Sequence, residues 1–351
     1  MNVCIEILPP IILQSLLFEQ PSRLVSYHPF LPIDITMAHS IPKIDVHHHI
    51  VPDFYAAAVG KAGGDPSGWP TPSWDLASAG SIMNKLPIQT AILSSAALAR
   101  RLNLYAAKIR DDNPARFGFF ASLPDIALNV EGALEEIRFT LDELKADGIT
   151  LFTRYGAGYQ YLGDPEFEPI WAELDRREAV VFIHPTHGVD THLVNPQLLQ
   201  PALDYPHETA RTVADLITTN RRAQFPNCKV ILSHAGGTLA WLIHRLSLVN
   251  EPEKVELLKG LFRSFHFDLA LSSEPGMINY LVALVGDEQV LFGSDFPYAP
   301  TSGIERFAEL LDGWDAEMER RERVYHGNAL KLFPRLAKEW EMAREAAERA
   351  L

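Results

Sequence analysis

Residues 43–55 read KIDVHHHIVPDFY, and the first seven of them decide the fold. An apolar run of strand type ends in three histidines, His47, His48 and His49. Side chains at i and i+2 of a strand share one face, so His47 and His49 point together while His48 points away. In a parallel barrel the functional face lies at the carboxyl ends of the strands, where these histidines stand. Taken alone, the run also admits the lesser reading of a chance cluster of histidines on a surface strand.

The same pattern, a short apolar run closed by polar residues, recurs along the chain. Further runs are TAILSS (90–95), FGFFASL (117–123), GITLFT (148–153), AVVFIH (179–184), KVILSH (229–234), HFDLAL (266–271) and QVLFGSD (289–295). Several are nearly continuous in Val, Ile, Leu and Phe, as strands buried on both faces are. Helical patterns fill the gaps, at 129–146, 165–178, 207–222, 238–249, 276–285 and 303–312. Eight strands alternating with helices predict an α/β protein, a (β/α)8 TIM barrel. An open doubly wound sheet is the alternative, but no glycine-rich phosphate loop follows the first run. The barrel is expected over 41–335. An N-terminal arm, 1–40, is expected to be poorly ordered, with a second methionine, Met37, just before the barrel text. A charged C-terminal helix is expected over 336–351. The stretch from about 314 onward reads as a solvated outer face or an oligomer contact.

With 351 residues, 47 % apolar and 22 % charged, the chain suits one large barrel. Its formal charge of −14 argues against a nucleic-acid partner, because phosphate backbones are repelled. An anionic substrate would need a local cation. Cys4 and Cys228 make no disulfide framework, so a reducing cytoplasm is the expected location. No apolar run reaches the roughly 18–20 residues of a membrane span, and the N-terminus lacks the basic start of a secretory signal.

His184, His234 and Asp295 each close one of the apolar runs, as His47 and His49 do. Neutral imidazoles with one carboxylate suit a single divalent metal, zinc first and manganese second. Other residues carry two readings each. His187 is a metal-supporting group or a loop histidine. Glu208, beside His207 at a helix start, hydrogen-bonds a ligand, orients His234, or simply favours a first helical turn. Arg154 pairs with a substrate carboxylate or faces solvent. Phe152, Phe296 and Tyr298 wall an aromatic ring or pack the core. No nucleophilic serine elbow or Cys/His pair is present, so the metal is the best source of electrophilic power.

KIDVHHHIVPDFY, VFIHP, HETARTVADLI, CKVILSHAGGTLAWLIHR and VLFGSDFPYAP together resemble the amidohydrolase-superfamily decarboxylases, the aminocarboxymuconate-semialdehyde decarboxylase-like group. The resemblance covers about residues 42–335. It implies that His47, His49, His184 and Asp295 ligate the metal and that His234 is the catalytic histidine beside it. DPSGW (65–69), RFGFFASLPD (116–125) and YLGDPEFEPIWAELDRR (161–177) narrow the implied substrate to a small ortho-hydroxy aromatic acid, 6-methylsalicylate, in polyketide secondary metabolism. The product would be 3-methylphenol (m-cresol) with carbon dioxide, without an organic cofactor. The resemblance also implies a homo-oligomer, a dimer.

The chemistry agrees with the residues. The ring carbon bearing the carboxylate must be protonated before carbon dioxide leaves, so a general acid must stand within reach of it. Asp295 is the first candidate and His234 the second. The chain departs from the family in a very short connection after TAILSS, ahead of Asn103, and in Ala240 and Arg154. Shortening that connection is expected to widen the pocket, shift substrate preference or abolish activity. Two rival functions therefore stand beside the decarboxylase: a lactone or amide hydrolase that activates water with the same metal, and a catalytically impaired relative.

Overall fold

A computed structural model describes residues 41–95, 98–156, 160–246 and 252–350. The expected N-terminal arm, Cys4 and two residues of the short connection lie outside the described residues.

The eight apolar runs all form strands: β1 Lys43–His49, β2 Ile88–Ser94, β3 Phe117–Ala121, β4 Gly148–Phe152, β7 Val180–His184, β8 Lys229–Leu232, β9 His266–Asp268 and β10 Val290–Leu291. They pair in parallel in the order β1-β2-β3-β4-β7-β8-β9-β10. The sheet closes on itself past the end of β10: Val46 donates to Phe292 O at 3.1 Å, Asp295 N–H to His47 O at 2.8 Å and His49 N–H to Phe296 O at 2.6 Å. The closed (β/α)8 barrel is thus formed and the open-sheet alternative is excluded. A small antiparallel hairpin, β5 Arg154–Tyr155 with β6 Gln160–Tyr161, branches from the end of β4 and was not visible in the sequence pattern.

Between the strands run helices α1 Asp53–Lys61, α2 Leu76–Lys85, α3 Ala99–Asp112, α4 Val130–Arg138, α5 Glu168–Arg176, α6 Gln200–Thr218, α7 Arg221–Gln224, α8 Leu239–Leu246, α9 Pro252–Phe262, α10 Pro275–Val285 and α11 Thr301–Asp312. Helix starts follow local chemistry: Asp75 and Ser78 make a reciprocal capping box at α2, and Asn129 caps α4. Helix α6 begins seven residues earlier than the sequence suggested and carries Pro206 inside it. Pro201 stands in the first turn, where the N–H has no helical acceptor, whereas Pro206 is the seventh residue and removes one bond of the helical ladder.

The inside of the barrel is layered. Ile44, Val46, Ile92, Phe120, Val180, Phe182, Ile231 and Leu291 fill the lower half. Below them, helices α12 Met318–Glu322, α13 Asn328–Leu332 and α14 Pro334–Ala350 close the floor. Ala329, Leu332, Phe333 and Leu336 join the same apolar cluster, and Trp340 donates its indole N–H to Thr90 Oγ1 at 2.9 Å. The densely charged C-terminal stretch is therefore not simply a solvated face. Its charges lie on one side of the helices and its buried apolar residues on the other.

Register explains the upper half. Between the Asp45–Ala91 and His48–Leu93 pairs two residues of β1, Val46 and His47, oppose one of β2, Ile92, a β-bulge. Ile44 and Val46 face the apolar interior, and within the bulge His47 also packs inward, 5.0 Å from the Phe182 ring.

Two stability outcomes follow. Leu336→Ala, at a fully buried floor position, is expected to lower the unfolding free energy by about 2–5 kcal/mol, read by urea denaturation. Burial, with Arg222 and Lys229 nearby, lowers His266 to about 4, and its Nδ1 has no partner among the described residues. Between pH 6.5 and 4 the unfolded chain therefore binds a proton that the folded chain does not. This group makes stability fall with acidification by on the order of 1 kcal/mol per pH unit. His266→Gln should flatten the slope of stability against pH in that window, and an unchanged slope would contradict the assignment.

Candidate metal centre

The polar side chains that converge at the upper rim close the apolar strand runs. One ring nitrogen each of His47, His184 and His234 and a carboxylate oxygen of Asp295 all lie within 4.8 Å of one another. His49 joins them: its Nε2 is 3.0 Å from His47 Nε2 and 3.2 Å from Asp295 Oδ1, which is itself 3.3 Å from His47 Nε2. The His49 and His184 rings stand 4.8 Å apart and the His47 and His234 rings 4.8 Å apart. The five residues singled out by the sequence thus converge, and His234 stands among the others rather than outside them.

Three electron-rich atoms within 3.3 Å of one another call for a proton shared between them or a cation among them. The local field is arranged for it. Burial alone would lower His47, but Asp268 and Asp295 raise it to about 10. Burial would raise Asp295, yet hydrogen bonds from His47 and His49 hold it well below the usual carboxylate range. Burial lowers both His49 and His184, keeping those imidazoles neutral with lone pairs to donate. A divalent cation fits this donor set of imidazoles plus one carboxylate.

Two aspartates that the sequence reading passed over hold the set in place. Asp268, at the end of β9, accepts His47 Nδ1–H at 3.0 Å through Oδ2. That fixes the tautomer and leaves Nε2 free to ligate. Its Oδ1 accepts the backbone N–H groups of His234 at 3.1 Å and Ala270 at 2.9 Å. Asp45 accepts His47 N–H and Ser294 N–H through Oδ1, and His48 Nδ1–H and Ser294 Oγ–H through Oδ2. The aspartate of FDLA at a strand end was the available signal for Asp268; that for Asp45 was its place two residues before His47.

His234 donates Nδ1–H to Ala270 O at 3.0 Å, so its Nε2 is the atom presented to the cluster. This settles one open reading, since Ala270 and Asp268, not Glu208, orient His234. His234 and Asp295 both have left-handed backbones, φ +52° and +63°. Such strain in non-glycine residues costs of order 1–3 kcal/mol each and persists where a site over-determines it.

The remaining candidates divide. Phe152 is the register partner of His184, so its side chain shares that face of the barrel. Tyr298 packs its ring edge-on against His49 at 5.0 Å, and its carbonyl accepts the Trp69 indole N–H at 3.0 Å, tying the DPSGW segment to the rim. Phe296, expected as a pocket wall, instead lays its ring against His48 at 4.9 Å, behind the ligand histidines. The chain has left β10 here, and the left-handed backbone of Asp295 redirects the residue that follows it. Arg154 does not face solvent. It is buried and donates Nε–H and Nη2–H to the carbonyls of His187 and Gly188. Glu208 is buried on α6 beside Arg154 and Tyr161, and burial pushes its carboxyl up. His187 lies at the mouth with Nδ1 3.2 Å from Thr186 Oγ1, lowered by burial and by Arg154 to about 4. His207 is exposed and bonds Thr238. Asn103, beyond the short connection, remains anchored: it bonds both backbone groups of Ser122, and its amide reaches Glu136.

Asp268→Asn should weaken metal binding about 10–100-fold, read by chelator competition on the folded protein. An amide N–H facing His47 Nδ1 would force the tautomer that protonates Nε2. Unaltered metal affinity would contradict the role given to Asp268.

Comparison with known proteins gives three findings. A family model described as amidohydrolase matches residues 44–335. A 6-methylsalicylic acid decarboxylase of Penicillium expansum is 48 % identical over 314 residues, covering 84 % of this chain and 97 % of that one. That alignment is longer than the share of this chain it engages, so the relative carries residues this chain lacks. Among solved structures, an amidohydrolase II matches with a TM-score of 0.76 at 29 % identity, over 83 % of this chain and 99 % of that one. A dihydroxybenzoic acid decarboxylase from Polaromonas sp. JS666, with bound manganese and the inhibitor 2-nitroresorcinol, matches with a TM-score of 0.71. At 21 % identity, over 84 % of this chain and 97 % of that one, it shows the fold alone.

Proposed function

The chain belongs to the amidohydrolase family, and from that premise we propose that it is a metal-dependent, non-oxidative decarboxylase of 6-methylsalicylate. The observation that carries the reading is the convergence of His47, His49, His184, His234 and Asp295 in a chain 48 % identical to a 6-methylsalicylic acid decarboxylase. Its relative is a carboxy-lyase, and the substrate class is a small aromatic carboxylic acid.

His47, His49, His184 and Asp295 would hold the cation, zinc or manganese. Bound there, it supplies a positive centre for the carboxylate and the ortho hydroxyl of the acid and for the charge that develops as the carboxylate leaves. Everything else falls to the chain. Tyr298 and Phe152 offer aromatic surface beside the ligands for the substrate ring. The ring carbon bearing the carboxylate gains a proton, the bond to the carboxylate breaks with its electron pair returning to the ring, and carbon dioxide leaves. One proton is consumed per turnover.

Two groups are placed to carry it. Asp295 is ionised against His47 and His49, so it donates only after taking up a proton in the substrate complex. His234 has Nδ1–H fixed on Ala270 O, which leaves Nε2 to exchange the proton. Loss of either should lower kcat about 10²–10⁴-fold. The buried positions of Asn103 and Ser122 argue that the short connection leaves the barrel wall intact.

Metal-loaded protein incubated with 6-methylsalicylate in heavy water should release carbon dioxide and 3-methylphenol carrying deuterium on the former carboxylate-bearing carbon. A hydrolase would instead place oxygen-18 from labelled water in its product. No turnover of 6-methylsalicylate or of a panel of ortho-hydroxybenzoates by protein with stoichiometric metal would overturn the reading.

A further inference from the structure

Next to the metal centre a buried charge pair joins the exit of β4 to helix α6. The side chains of Arg154 and Glu208 are 6 % and 7 % exposed, with Nε and Oε2 3.9 Å apart. That separation is too long for a hydrogen bond, and the guanidinium directs its donors elsewhere. Nε–H and Nη2–H converge on His187 O at 3.1 and 2.9 Å, and Nη2 also reaches Gly188 O at 2.9 Å. The Nε/Nη2 edge, one that could fork a substrate carboxylate, therefore faces backbone carbonyls. Glu208 accepts Tyr161 Oη–H at 3.0 and 3.2 Å, and Tyr161 Oη accepts Arg211 Nε–H.

The two carbonyls belong to the segment that leaves β7 just after His184. Strands β4 and β7 pair up to Phe152 and His184. Thr153 N–H then donates to His184 O at 3.1 Å, and Thr153 Oγ1 accepts Thr186 N–H at 3.2 Å. Beyond this point β4 turns away into the β5–β6 hairpin and backbone pairing stops. Arg154 continues it with a side chain.

We propose that Arg154 and Glu208 are positioning residues for His184: Arg154 clamps the β7 exit by its two carbonyls, and Glu208 neutralises the buried guanidinium and ties it to α6 and the hairpin. The inference rests on the reading of His184 as a metal ligand. It replaces a substrate-anchoring role for Arg154. The pair has an asymmetric energetic signature: removing Glu208 strands the buried guanidinium, removing Arg154 leaves Glu208 beside Arg211 Nε at 3.7 Å, and removing both strands neither charge.

The test uses the full-length protein, first without ligand for metal affinity and then with 6-methylsalicylate or 3-methylphenol for ligand affinity. Zinc dissociation constants are measured by competition with a chromogenic chelator for wild type, Arg154→Met, Glu208→Gln and the double variant, with circular dichroism to confirm folding. Each single change should weaken zinc binding about tenfold, and the double variant should be no weaker than the weaker single. Should Arg154→Met fail to fold, Arg154→Lys serves, because an ammonium keeps the charge but cannot span both carbonyls; an intermediate loss is expected. Variants that bind zinc within twofold of wild type overturn the inference. So does a loss confined to 6-methylsalicylate affinity with 3-methylphenol affinity preserved. A wild-type protein that binds no zinc or manganese would instead sink the metal reading beneath it.

Discussion

The seam between the first strand and the chain that follows the last is the constraint on which the rest of this structure depends. A closed barrel needs its two edge strands to meet, yet regular pairing of β10 extends over Val290 and Leu291 only. Closure is completed by backbone bonds from Val46, His49 and Asp295 and by the carboxylate of Asp45, which gathers four donors from both sides. A fully buried carboxylate is tolerable only when so satisfied; each buried polar group left unpaired costs about 1–3 kcal/mol. The strand at this seam carries, on its β2 side, the bulge that turns His47 inward, and the seam itself holds Asp295 in a left-handed backbone. Closing the fold and assembling the centre are one geometric event.

The barrel separates this polar assembly from its apolar support. Phe182 is the hinge between layers, with Phe120 stacked at 5.4 Å on one side and His47 at 5.0 Å on the other. Beneath it the C-terminal helices cover the floor, and burial above that floor keeps His49 and His184 neutral. The positive φ of His234 and Asp295 is held by specific bonds: Asp268 takes the amide of His234, and His47 O takes the amide of Asp295. Backbone strain at the centre is thus tied to the residues that orient the ligands.

Most of the architecture was legible because buried parallel strands advertise themselves as apolar runs, and because five of the polar residues that matter close those runs. What escaped notice has a common cause. Asp45 and Asp268 act as acceptors for groups brought near only by closure, and an isolated carboxylate in a sequence carries no mark of the donors it will meet. Arg154 finds its carbonyls 33 and 34 residues away, a pairing that no local pattern encodes. Phe296 stayed open between pocket wall and core because the course of the chain past Asp295 depends on a left-handed backbone that the text FGSDFP does not reveal. The two-residue strands of the hairpin are too short to show a period, and charge density in the C-terminal helices hid the apolar stripe that plugs the floor.

The electrostatics bear on why a metal, and not a cationic side chain, suits the chemistry proposed. The chain has a formal charge of −14, and its rim carries Asp295 and Asp268 with imidazoles as their ion-pair partners. An aromatic carboxylate entering such a rim meets repulsion at short range, where charge interactions are weakly screened. Arg154, the nearest buried cation in the surrounding wall that the sequence suggested, is directed at backbone carbonyls. Attraction for the substrate must therefore come from a charge greater than one proton on His47 can provide. A divalent ion held by neutral imidazoles and a single carboxylate keeps a net positive charge, which is enough both to admit the acid and to stabilise it as the carboxylate leaves. The ligand set is sparing in carboxylates for that reason: a second aspartate in direct contact would cancel the charge that binds the substrate, and Asp268 stands one imidazole away, where it orients His47 without neutralising the ion.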